Sequence, residues 1–200
     1  MAARAKAPLA AATAELGDEQ TTTMPLPNTT FVGLSLIPAS VGALWDLRTR
    51  RIPNWLTGPS LLAGLALHLA IGGWHALGLA FLAALLGGGV FFLFFLAGGM
   101  GAGDVKIMAA ICAIAGLNHV AEVLIATAVC GGIFGICAAF QRGLLRETIF
   151  NVGELFGHHL RAGLKPHADL NVENTKRVRL PYGVAIAAGV VTVLCMGLAG

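Results

Sequence analysis

Residues 75–97, HALGLAFLAALLGGGVFFLFFLA, decide the fold class, because this long apolar block contains no Asp, Glu, Lys or Arg. A helix that crosses the hydrocarbon core of a bilayer needs about 20 consecutive apolar residues. The block also lacks the alternation of apolar and polar positions that a membrane-spanning strand requires. We therefore predict a membrane-spanning helix at this position.

The rest of the chain extends this prediction. Of its 200 residues, 56% are hydrophobic and 12% are charged, whereas about a quarter of an average soluble domain is charged. Comparable apolar blocks occur on both sides of residues 75–97. The sequence predicts an all-α polytopic membrane protein with six transmembrane helices. The predicted spans are residues 31–45, 55–71, 75–97, 105–117, 120–140 and 182–199.

Two regions lie outside these spans. Residues 1–30 are polar or alanine-rich and contain prolines, which predicts a flexible N-terminal extension before a membrane domain over residues 31–200. In the long loop over residues 141–180, apolar residues recur at three- and four-residue steps between 145 and 160. This pattern predicts either an amphipathic helix at the cytoplasmic interface or an ordinary loop helix packed on the bundle.

The distribution of Lys and Arg predicts the orientation, because cytoplasmic loops are enriched in these residues. Eleven of the 13 lie in three regions that a six-span topology places on one side. Both termini are then outside. The fourth predicted span is short, because its 13 residues cover only about 20 Å of a core about 30 Å thick. Its start, at Asp104, is expected to lie in a dip lined by protein or water.

Two aspartates are the candidate functional residues. Asp46 closes the first predicted span and Asp104 opens the fourth, so both belong to the same membrane boundary. Ionisable groups at membrane depth are costly and usually functional. Two adjacent carboxyls that share one proton supply both an acid and a base for hydrolysis. Alternatively, Asp46 neutralises a neighbouring arginine, and Asp104 is a plain helix N-cap.

Glycines precede the second aspartate. Gly98, Gly99, Gly101 and Gly103 allow positive φ and close approach of another backbone. Such a loop could admit an extended substrate beside Asp104. Alternatively, the glycines only allow tight packing of membrane helices.

Three segments together resemble a known family. They are DLRTRRIPNWLT (46–57), GAGDVKIMAA (101–110) and LPYGVAIAAG (180–189). They resemble the type IV prepilin peptidases, which are GxGD-type intramembrane aspartyl proteases. The resemblance implies that Asp46 and Asp104 are the catalytic pair, with Gly101, Gly103 and Lys106 in the active-site loop. It also implies a pilin or pseudopilin precursor as substrate, with a short basic leader cut at the cytoplasmic face of the bacterial plasma membrane.

The same resemblance sets further expectations. Larger members carry a methyltransferase region with paired C-x-x-C motifs, which this sequence lacks. We therefore expect peptidase activity without N-methylation, as in the compact enzymes of Tad/Flp pili, although a pseudopilin substrate fits as well. No cofactor, metal ion or nucleic-acid partner is expected. The four cysteines form no C-x-x-C pair and are interpreted as small buried apolar residues.

Two other functions are compatible with the composition. A transporter or channel subunit would use the aspartates for a cation or proton, but such sites tend to lie near the bilayer midplane. A scaffold of a secretion complex would need neither aspartate. Glu122, in the fifth predicted span, is expected to have a structural role, either reaching the outer surface or bonding a neighbouring helix.

Overall fold

The computed structural model describes residues 28–141 and 182–199. Every regular element within these ranges is helical, which confirms the all-α prediction there. A short 3-10 helix, Leu117–His119, lies between the third and fourth α-helices. The α-helices are α1 (Asn28–Thr49), α2 (Asn54–Leu96), α3 (Ala102–Ala115), α4 (Val120–Gln141) and α5 (Tyr182–Ala199).

Four helices of the described chain are long and apolar enough to span a membrane. They cover Thr29–Thr49, Asn54–Leu96, Leu117–Ala138 and Tyr182–Ala199. Two predicted spans fall together in α2, and α3 has only 14 residues, so the count of six crossings stays a prediction. The predicted extension, apart from its last residues, and the predicted interfacial helix lie outside the described residues.

Helix α2 consists of two arms that run in opposite directions. The backbone breaks at Gly73, whose φ of 64° and ψ of −158° are accessible to glycine but not to residues with a Cβ. In the first arm, Asn54 bonds Lys106 and Gly64 packs on Ile114, so this arm runs parallel to α3. In the second arm, Ala80 lies near Ala115 and Gly88 near Ala109, so the direction reverses.

Helix α3 is the centre of the fold. Nearly every residue from Ile107 to Ala115 is buried, because α3 packs against both arms of α2 and against α1. A helix that is apolar on all sides needs such a surround. A Cβ added to Gly64 or Gly88 would approach atoms of α3 to within 2.8–2.9 Å. Small residues therefore set the close packing, as is usual between membrane helices.

The outer surface of the described bundle is apolar. Large side chains of α2, α4 and α5 are exposed, among them Trp74 at 81% and Ile136 at 63%. Contiguous apolar surface on this scale would be unstable in water. The exposed faces together with the four long apolar helices identify a membrane protein.

Helices α4 and α5 lie side by side and antiparallel. Thr127 of α4 contacts the backbone at Gly189, and Gly131 lies near Tyr182 and Ala185. Helix α4 continues for ten residues beyond Gly131, to Gln141, which is about 15 Å of helix. The end of α4 therefore extends past the start of α5, on the side of the bundle where α1 ends.

Candidate active site

Asp46 lies in the last turn of α1, where the side chain turns inward. It is only 7% exposed, while the adjacent Trp45 and Leu47 are exposed. The helix ends at Thr49, and the next residue, Arg50, adopts a left-handed φ of 54° and donates its N–H to the Asp46 carbonyl. This is an αL termination without glycine. It turns the chain toward α2 immediately after the aspartate.

The start of α5 holds the Asp46 side chain. The backbone N–H of Gly183 donates a hydrogen bond of 2.9 Å to Asp46 Oδ2, and this contact is buried. Gly183 is in the first turn of α5, where backbone N–H groups have no partner within the helix. The positive end of the helix dipole also favours a negative charge there. A carboxylate at this position is thus stabilised by a helix other than its own.

A glycine-rich turn leads from α2 to the second aspartate. Gly98, with φ of 75°, donates to the Phe95 carbonyl, and Gly99 donates to the Phe94 carbonyl. This pair of bonds is a Schellman termination, which needs a left-handed residue and therefore favours glycine at Gly98. Met100 then anchors the turn in the core, where it is 9% exposed. The chain enters α3 directly afterwards.

Asp104 is the third residue of α3, so its interpretation as the N-cap is wrong. The N-cap is Gly101. The two residues bond reciprocally: Gly101 N–H donates to Asp104 Oδ2 and Asp104 N–H donates to the Gly101 carbonyl, each at 3.1 Å. The arrangement has the reciprocal geometry of a capping box, with a backbone acceptor in place of a side chain. It fixes the carboxyl at the positive end of α3.

Two predicted loop residues lie in α3 instead. Gly103 packs on Ile52, because an added Cβ would lie 3.1 Å from Ile52 Cβ and 3.4 Å from its backbone nitrogen. Lys106 does not bond either aspartate. Its Nζ donates a hydrogen bond of 2.9 Å to Asn54 Oδ1 at the start of α2. Both contacts join the segment after Asp46 to the segment around Asp104.

The two carboxyls interact electrostatically. Burial raises the pKa of Asp104 to about 6; the hydrogen bond from Gly101 opposes this shift, and the charge of Asp46 adds to it. The positive charge of Arg50 attracts the carboxylate of Asp46. Each aspartate has one oxygen bonded by a backbone N–H, and no protein partner is present for the other oxygen within the described ranges. Among the described residues, nothing encloses those two oxygens, and they are accessible to water or substrate.

Two residues at the start of α5 contact or face the aspartates, although no sequence motif assigns either a role. Gly183 holds Asp46, and the neighbouring Tyr182 is half-buried within electrostatic range of the Asp104 carboxyl. Both belong to LPYGVAIAAG, which carried part of the family resemblance. The sequence therefore marked this segment, but a role for Tyr182 or Gly183 could be assigned only once the structure placed the start of α5 beside the end of α1.

Glu122 lies at the opposite end of the bundle, in the first turn of α4. It is exposed and bonds His119 of the preceding 3-10 helix, with Oε2 and Nδ1 2.9 Å apart. This contact fits the structural role expected of it, although the partner is a sequence neighbour rather than another helix. No three His, Cys, Asp or Glu side chains form a metal-binding group in the part of the chain that the structure describes.

Comparison with known families decides the classification. The sequence model of the type IV leader peptidase family matches residues 33–136. The chain belongs to this family. The matched range contains both aspartates and the glycine turn, and ends before Tyr182. No curated protein and no solved structure matches the chain. Membership of the leader peptidase family makes the chain a protease that acts on pilin-type precursors, and it does not favour the transporter or scaffold alternatives.

Proposed function

We propose that this leader peptidase is an aspartyl protease that uses Asp46 and Asp104 to remove the short basic leader from a pilin or pseudopilin precursor. One observation carries the proposal. Two carboxyls from distant parts of the sequence lie within electrostatic range, and a backbone N–H bonds one oxygen of each. Hydrolysis of a peptide bond needs an acid and a base at the same point, and a pair that shares one proton provides both.

The reaction follows the chemistry of such a pair. The first carboxyl, as carboxylate, accepts a proton from a water molecule while the oxygen of that water attacks the scissile carbonyl carbon. The second carboxyl donates its proton to the carbonyl oxygen. The C–N bond then breaks as the first carboxyl passes the proton it took from water to the departing amine of the mature chain, and the second carboxylate recovers a proton from a hydroxyl of the tetrahedral intermediate. The pKa of Asp104, raised to about 6, extends the range in which the pair holds one proton up to about pH 6. The two groups titrate as a unit, so neither has a fixed role.

The proposed site faces the cytoplasm at the boundary of the bacterial inner membrane. Arg48, Arg50, Arg51 and Lys106 are exposed at the aspartate end of the bundle, which is the distribution of a cytoplasmic face. Trp55 at that end and Trp74 at the other, just past the break at Gly73, are 19 residues apart in α2. This is about 28 Å of helix, close to the roughly 30 Å of a hydrocarbon core.

That spacing, together with the reversal at Gly73, supports the interpretation of α2 as two crossings. With α3 as a short central crossing, the chain then has six. Both termini lie outside, and the two aspartates share the inner boundary.

The test is precursor cleavage by single aspartate variants. The full-length protein is reconstituted with candidate precursors from the same genome, and leader removal is followed by gel mobility and mass spectrometry. Asp46→Asn and Asp104→Asn are each expected to abolish cleavage while leaving thermal stability near that of the wild type. Glu122→Gln is the matched control, because it removes an exposed carboxylate at the opposite end. Retained cleavage in either aspartate variant contradicts the proposal.

A further inference from the structure

The backbone of Arg50, directly after α1, is unusual for its residue type. Its φ of 54° lies in the left-handed region, and Arg50 is the only residue other than glycine with such a φ in the described chain. Glycine usually occupies this position at a helix end, because a Cβ is strained there, and Asn or Asp are the usual substitutes. Strained residues of other types are concentrated at functional sites. The choice of arginine therefore indicates a role for its side chain.

The turn around Arg50 is held on both sides. Its N–H donates a hydrogen bond of 2.8 Å to the carbonyl of Asp46, four residues earlier. The Thr49 hydroxyl lies 3.0 Å from the carbonyl oxygens of both Trp45 and Arg51. The guanidinium of Arg50 is therefore attached to a fixed backbone close to the Asp46 carboxylate, which its charge attracts.

Other charged or titratable groups face Asp46 from the elements packed on α1. Helix α3 contributes Asp104, a like charge, whereas Lys106 of the same helix is bonded to the start of α2. Helix α5 contributes Tyr182, which lies within electrostatic range of Asp104. The first turns of α2 carry no titratable side chain. Arg50 therefore makes the surroundings of the two carboxyls unequal.

This asymmetry has a direction. A cation favours the ionised form of the carboxyl nearest to it, and a negative charge on one carboxyl favours the protonated form of its neighbour. The second effect is present at Asp104, because burial raises its pKa to about 6 and the charge of Asp46 adds to that shift. A pair that titrates as a unit can therefore still hold its shared proton mainly on one side.

Resting on the proposed function, we propose that Arg50 is a positioning residue of the aspartate pair, which keeps negative charge on Asp46 and the shared proton on Asp104. Asp46 then begins the cycle as the base toward water, and Asp104 as the acid toward the scissile carbonyl oxygen. Two structural roles of Arg50 differ in their consequences. Neutralising the negative end of α1, or favouring the cytoplasmic side, affects stability or insertion and not the pH at which the pair gains or loses its protons.

The experiment measures the pH–rate profile of precursor cleavage by the reconstituted full-length protein. Arg50→Lys keeps the charge, Arg50→Asn removes it and Arg50→Asp reverses it, and Asn and Asp also tolerate a left-handed backbone. The acidic limb, where the pair takes up its second proton, should stay in place in Arg50→Lys. It should move up by about 0.2–0.7 pH unit in Arg50→Asn, the range of an exposed ion pair, and further in Arg50→Asp. The alkaline limb should move less, and added salt should shrink both shifts.

The matched controls are Arg48→Asn and Arg48→Asp, because Arg48 is exposed in the last turn of the same helix. They are expected to leave both limbs in place. If the Arg50 variants only lower the rate by the same factor at every pH, or if the Arg48 variants move the limbs as far, the assignment is overturned. If the wild-type protein cleaves no precursor, or cleaves without the aspartates, the proposed function fails instead.

Infrared spectroscopy decides the role of Arg50 without cleavage, so the two failures are distinguishable. The absorption of protonated carboxyls is followed against pH in Asp46→Asn and in Asp104→Asn, as difference spectra against the protein that carries both substitutions. The band of the remaining Asp104 is expected to persist to higher pH than the band of the remaining Asp46. Adding Arg50→Asn should move the Asp46 band to higher pH and the Asp104 band by less. Equal shifts, or none, overturn the proposal.

Discussion

Replacement of Gly183 by alanine tests the contact on which the geometry of Asp46 depends. The added Cβ would lie 3.0 Å from Asp46 Cβ, 3.1 Å from its Oδ2 and 3.2 Å from Ala43 Cα. Carbon atoms pack best at about 3.5–4.0 Å, so the new methyl group is too close by about 0.3–1.0 Å. Two of the three opposing atoms are carbons held close to the α1 backbone, so α1 and α5 must separate.

The size of the effect follows from that displacement. Extra methyl groups in a well-packed site cost about 1–3 kcal/mol. A shift of about 1 Å in a catalytic group lowers the rate about 100-fold. Because the separation also lengthens the Gly183–Asp46 hydrogen bond, we expect Gly183→Ala to lower precursor cleavage by about 10–100-fold. The free energy of unfolding is expected to fall by no more than about 3 kcal/mol.

The assay measures initial rates of leader removal by the reconstituted full-length protein, with thermal unfolding followed in parallel. Gly132→Ala is the control, because a Cβ at this exposed position of α4 meets nothing within 4 Å. It should cleave at the wild-type rate. If folded Gly183→Ala also cleaves within about twofold of the wild type, the close approach of Gly183 to Asp46 does not govern the activity, and the reasoning is refuted.

Two further predictions concern the electrostatics and the helix junction. The pKa of Asp104 is raised from 3.8 to about 6, so the aspartate pair loses its shared proton as the pH rises above about 6. Cleavage should therefore slow between pH 6 and pH 7, by up to about fivefold, and a rate that rises with pH would contradict this. The exposed hydrogen bond from Lys106 to Asn54 should be worth about 1 kcal/mol or less. Lys106→Met and Asn54→Ala should each lower cleavage by up to about fivefold, and the double variant should lower it no further; additive losses would indicate separate roles.

The long apolar helices were predictable because hydrophobicity along the chain is a local property. The break at Gly72–Gly73 was visible for the same reason, as an interruption between two apolar blocks. The position of Asp104 within its helix was not predictable, because the choice between Gly101 and Asp104 as N-cap depends on the hydrogen bond from the Gly101 N–H to the Asp104 carboxyl. The family resemblance placed Gly103 and Lys106 in a loop, although both lie in α3.

The sequence by itself determined the all-helical membrane architecture of the described chain, the family, and the choice of two aspartates as candidates. Only the tertiary structure decided which groups surround them. Asp46 is bonded by Gly183, a residue 137 positions away. Such contacts depend on where helix ends meet, and helix ends meet where small residues allow close packing in three dimensions. No local pattern encodes that distance.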